Sequence, residues 1–212
     1  MIGFYNYTVI LTYLSLVSSA LGIYFASGIG ESSSHPEYAI VCLMLSGLFD
    51  MFDGKVARTR KRTDEEKKFG IQIDSLCDLV CFGVLPSVIG YSIGMNSWAD
   101  MFVLILFTLC AVIRLAYFNV MEEARQKVTK ENRKEYEGLP VTSVALILPL
   151  LYSFKKEIGH DTFPIVYGIF LFVIAIAFIT RFKIKKPDMK AMLGFIGIGA
   201  VELIWLLYKT HK

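Results

Sequence analysis

The chain has 212 residues, of which 55% are hydrophobic and 19% charged, and its formal net charge is +3. With a mean hydropathy of +0.53, this composition excludes a water-soluble globule, a disordered chain and a disulfide scaffold, and it is typical of a polytopic membrane protein. About seven apolar stretches of roughly 20 residues would occupy most of the chain and leave only short loops. We therefore expect residues 1–212 to form a single integral membrane domain.

Apolar runs recur along the whole chain. In order they cover residues 5–27, 38–57, 69–93, 98–120, 139–155, 162–181 and 190–208. Each is long enough, or nearly so, to cross about 30 Å of hydrocarbon as a helix, which satisfies its own backbone hydrogen bonds. The sequence thus predicts an all-α, polytopic transmembrane helical bundle.

The basic residues are distributed unequally between alternate loops. One set of loops (58–68, 121–137 and 181–190) holds sixteen Lys and Arg, whereas the opposite loops and the C-terminal tail hold four. Such a bias predicts that the N-terminus and the three basic loops face the cytosol, in a protein of the cytoplasmic membrane. Solvation beside anionic membrane lipids is enough to explain most of these loop residues.

Several ionisable residues interrupt the apolar runs. Asp50, Asp53 and Lys55 fall in the second run, and a further group lies in the third and fourth runs: Asp74, Asp78 and Arg114. A charged side chain inside the hydrocarbon costs at least about 2.5 to 3.5 kcal/mol, so such residues are candidates for function. The predicted topology puts all of these aspartates at one depth, near the cytosolic side.

Helical spacing places the aspartates on two stripes. Asp50 and Asp53 share a face of the second run, and Asp74 and Asp78 share a face of the third. Two antiparallel helices would bring these stripes together, and four close carboxylates need a cation between them. Oxygen ligands without His or Cys favour a hard ion such as Mg²⁺ or Mn²⁺.

Small residues lie in register with the aspartates. Gly54, Ala57 and Gly70 have little or no side chain, so a phosphate-bearing ligand could lie against the helix backbone there. Close helix packing is the alternative explanation for any one of these glycines.

Written together, the residues form the pattern Asp50-x-x-Asp53-Gly54-x-x-Ala57-Arg58, then eleven residues, then Gly70-x-x-x-Asp74-x-x-x-Asp78. This pattern closely resembles the signature of the CDP-alcohol phosphotransferase family of integral membrane enzymes. The interval between Arg58 and Gly70 is two or three residues longer than the family usually has, within residues 60–68. We expect this difference to lengthen a cytosolic loop and to leave both stripes intact.

Other stretches are similar to the membrane-spanning branch of that family that makes phosphatidylserine. They are residues 69–78 with 82–86, residues 114–119 and residues 138–140. The resemblance covers about residues 5–190 and implies a six-helix core, about residues 5–181, with residues 190–208 as an additional span. It also implies a homodimer, and residues 90–94 have the GxxxG spacing that allows close helix contact.

The resemblance implies a reaction and roles for individual residues. Asp50, Asp53, Asp74 and Asp78 would hold two divalent ions, and Asp78 would also be the general base. The nucleotide part of CDP-diacylglycerol would lie against a second set of residues: Gly54, Ala57, Arg58 and Gly70. Attack of the L-serine hydroxyl would give phosphatidylserine and CMP, with no nucleic acid involved.

The acceptor needs a site of its own. Arg114 can bind a carboxylate through a bidentate fork, and Phe118, one turn further along, could form a wall of the pocket. The alternative is that Arg114 only neutralises the aspartates.

Three other functions remain open at this point. Glycerol phosphate or inositol phosphate could replace serine, if Arg114 and loop lysines bound the acceptor phosphate. A membrane prenyltransferase would require different aspartate motifs and more spans. A cation-coupled transporter would require internal repeats and carboxylates near the bilayer midplane.

Overall fold

The computed structural model describes residues 3–4, 6–29, 33–128, 135–185 and 189–210, and these are almost entirely helical. The first five helices are α1 (Ile10–Ser27), α2 (Pro36–Ala57), α3 (Asp64–Asp78), α4 (Leu85–Ser92) and α5 (Trp98–Val128). They are followed by α6 (Val144–Ser153), α7 (Lys155–Ile158), α8 (Phe163–Ile179) and α9 (Met189–Thr210). Short 3₁₀ turns, Tyr7–Val9 and Val141–Ser143, precede α1 and α6, and a π-helical segment, Leu79–Val84, joins α3 to α4.

The helices confirm the predicted transmembrane bundle. Each of the seven apolar runs coincides with a helix or with the continuous rod from α3 to α4. Within the part of the chain that the structure describes, three helical stretches are long and apolar enough to cross a membrane: Tyr7–Ser27, Asp64–Ser92 and Trp98–Arg125. Shorter apolar helices accompany them, and the run at residues 190–208 is the helix α9. The protein is therefore an integral membrane protein built from helices.

The structure adds a small β ribbon that the sequence did not predict. Strand β1 (Glu135–Glu137) pairs antiparallel with β2 (Lys183–Lys185), and Glu137 lies opposite Lys183. Gly138 follows β1 with φ of 75°, and a Cβ on it would lie 2.8 Å from the carbonyl oxygen of Thr180. This conformation and this close approach both require glycine.

The connection between α2 and α3 is shorter than predicted. The third apolar run was expected to begin at residue 69, but α3 begins at Asp64. Thr63 accepts a hydrogen bond from the backbone of Glu66, and the Glu66 carboxylate accepts one from the backbone of Thr63, which is a capping box. Acidic residues in the first turn stabilise the same helix end.

Polar and small side chains hold α2 against its neighbours. Ser46 lies between the helices and donates to the carbonyl oxygens of Ser15 in α1 and Cys42, each at 2.9 Å. Its hydroxyl also lies 2.8 Å from that of Ser19. On another face of α2, a Cβ on Gly47 would overlap the Cβ of Ala145 in α6. These contacts fix the helix that carries two of the aspartates.

The glycines of the GxxxG segment serve contacts within the chain. A Cβ on Gly90 would lie 2.8 Å from Leu104 and 3.0 Å from Met95. Gly94 has a φ of 113°, and a Cβ on it would lie 3.4 Å from Cγ of Pro164. Gly90 therefore serves helix packing inside this chain, and Gly94 the turn after α4.

Candidate active site

Three of the predicted aspartates meet between α2 and α3. One carboxylate oxygen each from Asp50, Asp74 and Asp78 lies within 4.8 Å of the other two. Oδ1 of Asp74 is buried and accepts no hydrogen bond from any described residue. A buried carboxylate oxygen without a donor is costly, and a divalent ion satisfies it. The cluster could hold such an ion.

Asp53 is held by a third helix. Its Oδ2 accepts a hydrogen bond from Oγ1 of Thr12, in α1, at 3.1 Å. Thr12 is buried, with 6% of its surface exposed, and Asp53 lies near enough to Asp74 for their charges to repel. The role of Thr12 was not predicted, although a series of Thr and Ser residues in the first run, Thr12 among them, was visible in the sequence.

The backbone changes its winding immediately after Asp78. Residues Leu79–Val84 form the π-helical segment, and the backbone N–H of Leu85 donates to the carbonyl oxygen of Val80, five residues earlier. Such segments are rare and are frequently found at functional sites. Within this segment, the thiol of Cys81 lies 3.4 Å from the hydroxyl of Ser15, in α1. The aspartates are therefore followed by a buried contact between helices.

Two guanidinium groups cover the two motif glycines. A Cβ on Gly54 would meet only Nη1 of Arg58, at 3.9 Å, among the described neighbours. A Cβ on Gly70 would lie 3.0 Å from Nη1 of Arg62. Helix packing therefore does not explain either glycine. Ala57, on the same stripe as Gly54, is partly buried.

The segment before α1 closes over the loop between α2 and α3. Asn6 donates to Oε1 of Glu66 at 3.3 Å, and the hydroxyls of Tyr7 and Thr59 lie 3.0 Å apart. Arg60 lies 3.5 Å from the same oxygen of Glu66. Glu66 therefore connects the beginning of α3 to the segment before α1 and to the loop between α2 and α3.

Arg114 lies in α5, beside residues from the end of α8. It is buried, with 6% of its surface exposed, and its Nε donates to the carbonyl oxygen of Leu139 at 3.1 Å. Its guanidinium lies 5.7 Å from the ring centre of Phe118, one turn further along α5. A cavity of about 170 Å³ adjoins it, lined also by Tyr117, Glu137 and Arg181. None of the four aspartates is among the residues that line this cavity.

Comparison with known protein families shows the family of this chain. Residues 5–184 match the model of the CDP-alcohol phosphatidyltransferases. The chain belongs to this family. The CDP-alcohol phosphatidyltransferases generally depend on divalent metal ions, in agreement with the three clustered aspartates.

Individual relatives carry more specific names. The chain is 40% identical over 130 residues to the CDP-diacylglycerol–serine O-phosphatidyltransferase of Saccharomyces cerevisiae. This matched region covers 60% of this chain and 45% of the yeast protein. Proteins with the same name from Mycobacterium bovis and Helicobacter pylori J99 are 26% and 28% identical, over 86% and 95% of this chain. The matched regions cover 61% and 80% of those two proteins. This chain therefore spans less than two thirds of the yeast and Mycobacterium bovis proteins.

Proposed function

We propose that this chain transfers the phosphatidyl group of CDP-diacylglycerol to L-serine, which gives phosphatidylserine and CMP. The observation that carries this proposal is the convergence of Asp50, Asp74 and Asp78, with a buried Asp74 oxygen that has no described donor. Membership of the family supplies the reaction class. The names of the yeast and bacterial relatives favour serine as the acceptor.

The four aspartates fit two divalent ions. Asp50, Asp53, Asp74 and Asp78 offer only oxygen ligands, the set that Mg²⁺ or Mn²⁺ prefers. When bound, these ions would neutralise the diphosphate of the lipid substrate and the charge that develops as it is split. Thr12 would keep the Asp53 carboxylate turned toward the site.

The side chains of the protein then act on the two substrates. Asp78 accepts the proton of the serine hydroxyl, whose oxygen forms a bond to the β-phosphorus. The bond between that phosphorus and the bridging oxygen breaks, and CMP leaves with the bridging oxygen. Arg58 pairs with the phosphate of CMP, while Gly54, Ala57 and Gly70 leave room for the nucleotide beside the helix backbones.

We assign the carboxylate of serine to Arg114, with Phe118 as the adjoining wall. A buried guanidinium with a cavity beside it suits a small anion, and Glu137, in the lining, could accept from the ammonium group. The hydrogen bond from Arg114 to Leu139 favours a second role, in which Arg114 holds the segment after β1 in place.

We also propose how the protein is oriented in the membrane and in what oligomeric state it occurs. The loops with most of the Lys and Arg would face the cytosol, in the cytoplasmic membrane, and would contact anionic membrane lipids. The site would therefore draw serine from the cytosol. A homodimer is proposed from the family resemblance.

An acceptor screen tests the function. Purified protein in detergent receives CDP-diacylglycerol with L-serine, glycerol phosphate or inositol phosphate, first with EDTA and then with Mg²⁺ or Mn²⁺ restored. We expect phosphatidylserine and CMP in equal amounts, only with serine and only after metal is added. A phosphorylated acceptor used in preference to serine would replace the proposed reaction by the same chemistry on another alcohol. Full turnover in EDTA would reject the metal site.

A further inference from the structure

Arg62 lies outside the family pattern, in the loop between Arg58 and Gly70, yet its side chain folds inward. Its Nη1 is 3.0 Å from the position of a Cβ on Gly70, in α3. Its Nε is buried and donates to no described acceptor. An N–H of a guanidinium that is removed from water without an acceptor is destabilising. Glu66 is near enough to interact electrostatically with Arg62 but accepts no hydrogen bond from its Nε, so this N–H still requires an acceptor.

The neighbouring basic residues have other surroundings. Arg60 lies 3.5 Å from the Glu66 carboxylate, and Lys61 is exposed to solvent. Arg62 is partly buried. The feature that separates Arg62 from the rest of the loop is thus its approach to Gly70, not its charge.

Arg58, at the end of α2, and Arg62, in the loop before α3, lie over corresponding glycines of the two aspartate helices. Arg58 lies over Gly54, one turn from Asp50, and Arg62 lies over Gly70, one turn from Asp74. The region between α2 and α3 therefore has the carboxylates at one depth and two guanidinium groups about one helical turn away. If metal ions at the aspartates held one end of a phosphate-bearing molecule, the other end of that molecule would meet both guanidinium groups. Guanidinium groups match phosphate oxygens in a bidentate manner.

We propose that Arg62 binds the phosphate groups of the nucleotide part of the CDP-lipid, and of the released CMP, together with Arg58. This inference rests on the proposed function for the identity of the nucleotide. It adds a binding residue supplied by the longer loop. The phosphate of an anionic lipid headgroup has the same chemistry, so the test must separate these two sources.

Direct binding of CDP provides the test. Binding of CDP and of CMP to the purified full chain, with Mg²⁺ and without any acceptor, is measured by calorimetry in a nonionic detergent free of anionic lipid. Arg62→Gln removes the charge and leaves a shorter polar side chain, Arg62→Lys keeps the charge without the fork, and Lys61→Gln is the matched control one residue away. The melting temperature of each variant reports whether it folds. If Arg62→Gln does not fold, the Arg62→Lys variant decides the question alone.

We expect Arg62→Gln to weaken CDP binding about 10- to 100-fold, as a lost charge-assisted hydrogen bond does. We expect a smaller loss for Arg62→Lys and none for Lys61→Gln. In turnover, the KM for CDP-diacylglycerol should rise while the KM for serine stays constant. Equal CDP affinity in wild type and both Arg62 variants overturns the inference, as does an effect that appears only when phosphatidylglycerol is added. Binding of CDP that depends on Arg62, without product from serine, would instead leave this inference intact and reject the proposed acceptor.

Discussion

At the scale of single residues, the four aspartates are not equivalent. Asp50, Asp74 and Asp78 face one another, whereas Asp53 accepts a hydrogen bond from Thr12 on a third helix. A hydroxyl that donates to a carboxylate fixes which oxygens remain for a metal ion. We therefore expect Thr12 to act as a positioning residue, whose effect should appear in metal affinity before it appears in folding.

Replacement of Thr12 by valine removes the hydroxyl and keeps the shape. We expect the Mg²⁺ concentration for half-maximal activity to rise about 10-fold, as is common when the partner of a metal ligand is lost. The rise in melting temperature on Mg²⁺ addition should shrink in parallel. Thr12→Ser keeps the hydroxyl and is expected to resemble wild type. Identical metal titrations of Thr12→Val and wild type would exclude the positioning role.

Replacement of Arg114 by alanine tests the acceptor site. Because a carboxylate would lose its bidentate partner, we expect the KM for serine to rise about 10-fold or more, and the KM for CDP-diacylglycerol to change little. Arg125→Ala is a suitable control, since Arg125 pairs with Glu122 on the same helix at 2.6 Å. Equal increases of both KM values would assign Arg114 to the structural role that its bond to Leu139 suggests.

At the scale of elements, α2 connects the site to the rest of the bundle. It carries Asp50 and Asp53, shares a seam of serine hydrogen bonds with α1, and meets α6 at Gly47. The absence of a side chain at Gly47 sets the distance between α2 and α6. Small residues at such contacts are typical of helices that pack in membranes.

Substitution by alanine distinguishes a glycine in a close helix contact from a glycine with free space beside it. Gly47→Ala would force its Cβ into that of Ala145, whereas a Cβ on Gly197, in α9, has no described atom within 4 Å. We expect Gly47→Ala to lower the free energy of unfolding by about 1–3 kcal/mol, as overpacking does. Gly197→Ala should leave it unchanged or raise it slightly. Thermal unfolding in detergent measures both, and equal melting temperatures would contradict the close contact of α2 with α6.

At the scale of the whole molecule, the two ends of the bundle differ in charge. The rod from Asp64 to Ser92 separates the loop at residues 58–63, rich in Lys and Arg, from the turn at residues 93–97, which has none. The start of α1 lies near the basic end, because Tyr7 contacts Thr59. The β ribbon, which has basic residues of its own, is held to α5 by the hydrogen bond from Tyr117 to Glu137. This asymmetry is the basis of the proposed orientation.

Cysteine labelling in intact cells tests that orientation. The four native cysteines are buried and free, so they give little background with an impermeant maleimide. Asn96→Cys, in an exposed turn, should label from outside, and Lys61→Cys only after the membrane is permeabilised. The reverse pattern would place the site on the outer side of the membrane.

Part of the architecture is local and could be predicted from the sequence. The apolar runs identified the long helices, since hydrophobic length and helical period do not depend on distant residues. The Thr63 and Glu66 capping box was also readable, and attention to it would have placed the start of α3 correctly. The three-residue strands lacked any such signal, because their pairing joins segments far apart in the chain.

By itself the sequence determined the membrane helices and the order of the aspartates on two stripes, because both follow from spacing within one helix. Only the tertiary structure decided that Thr12 supports Asp53, 41 residues away, and that Arg62 turns toward Gly70. It also placed Arg114 beside Leu139. The physical reason is that such contacts depend on how helices pack and on the path of a loop, which no local period encodes.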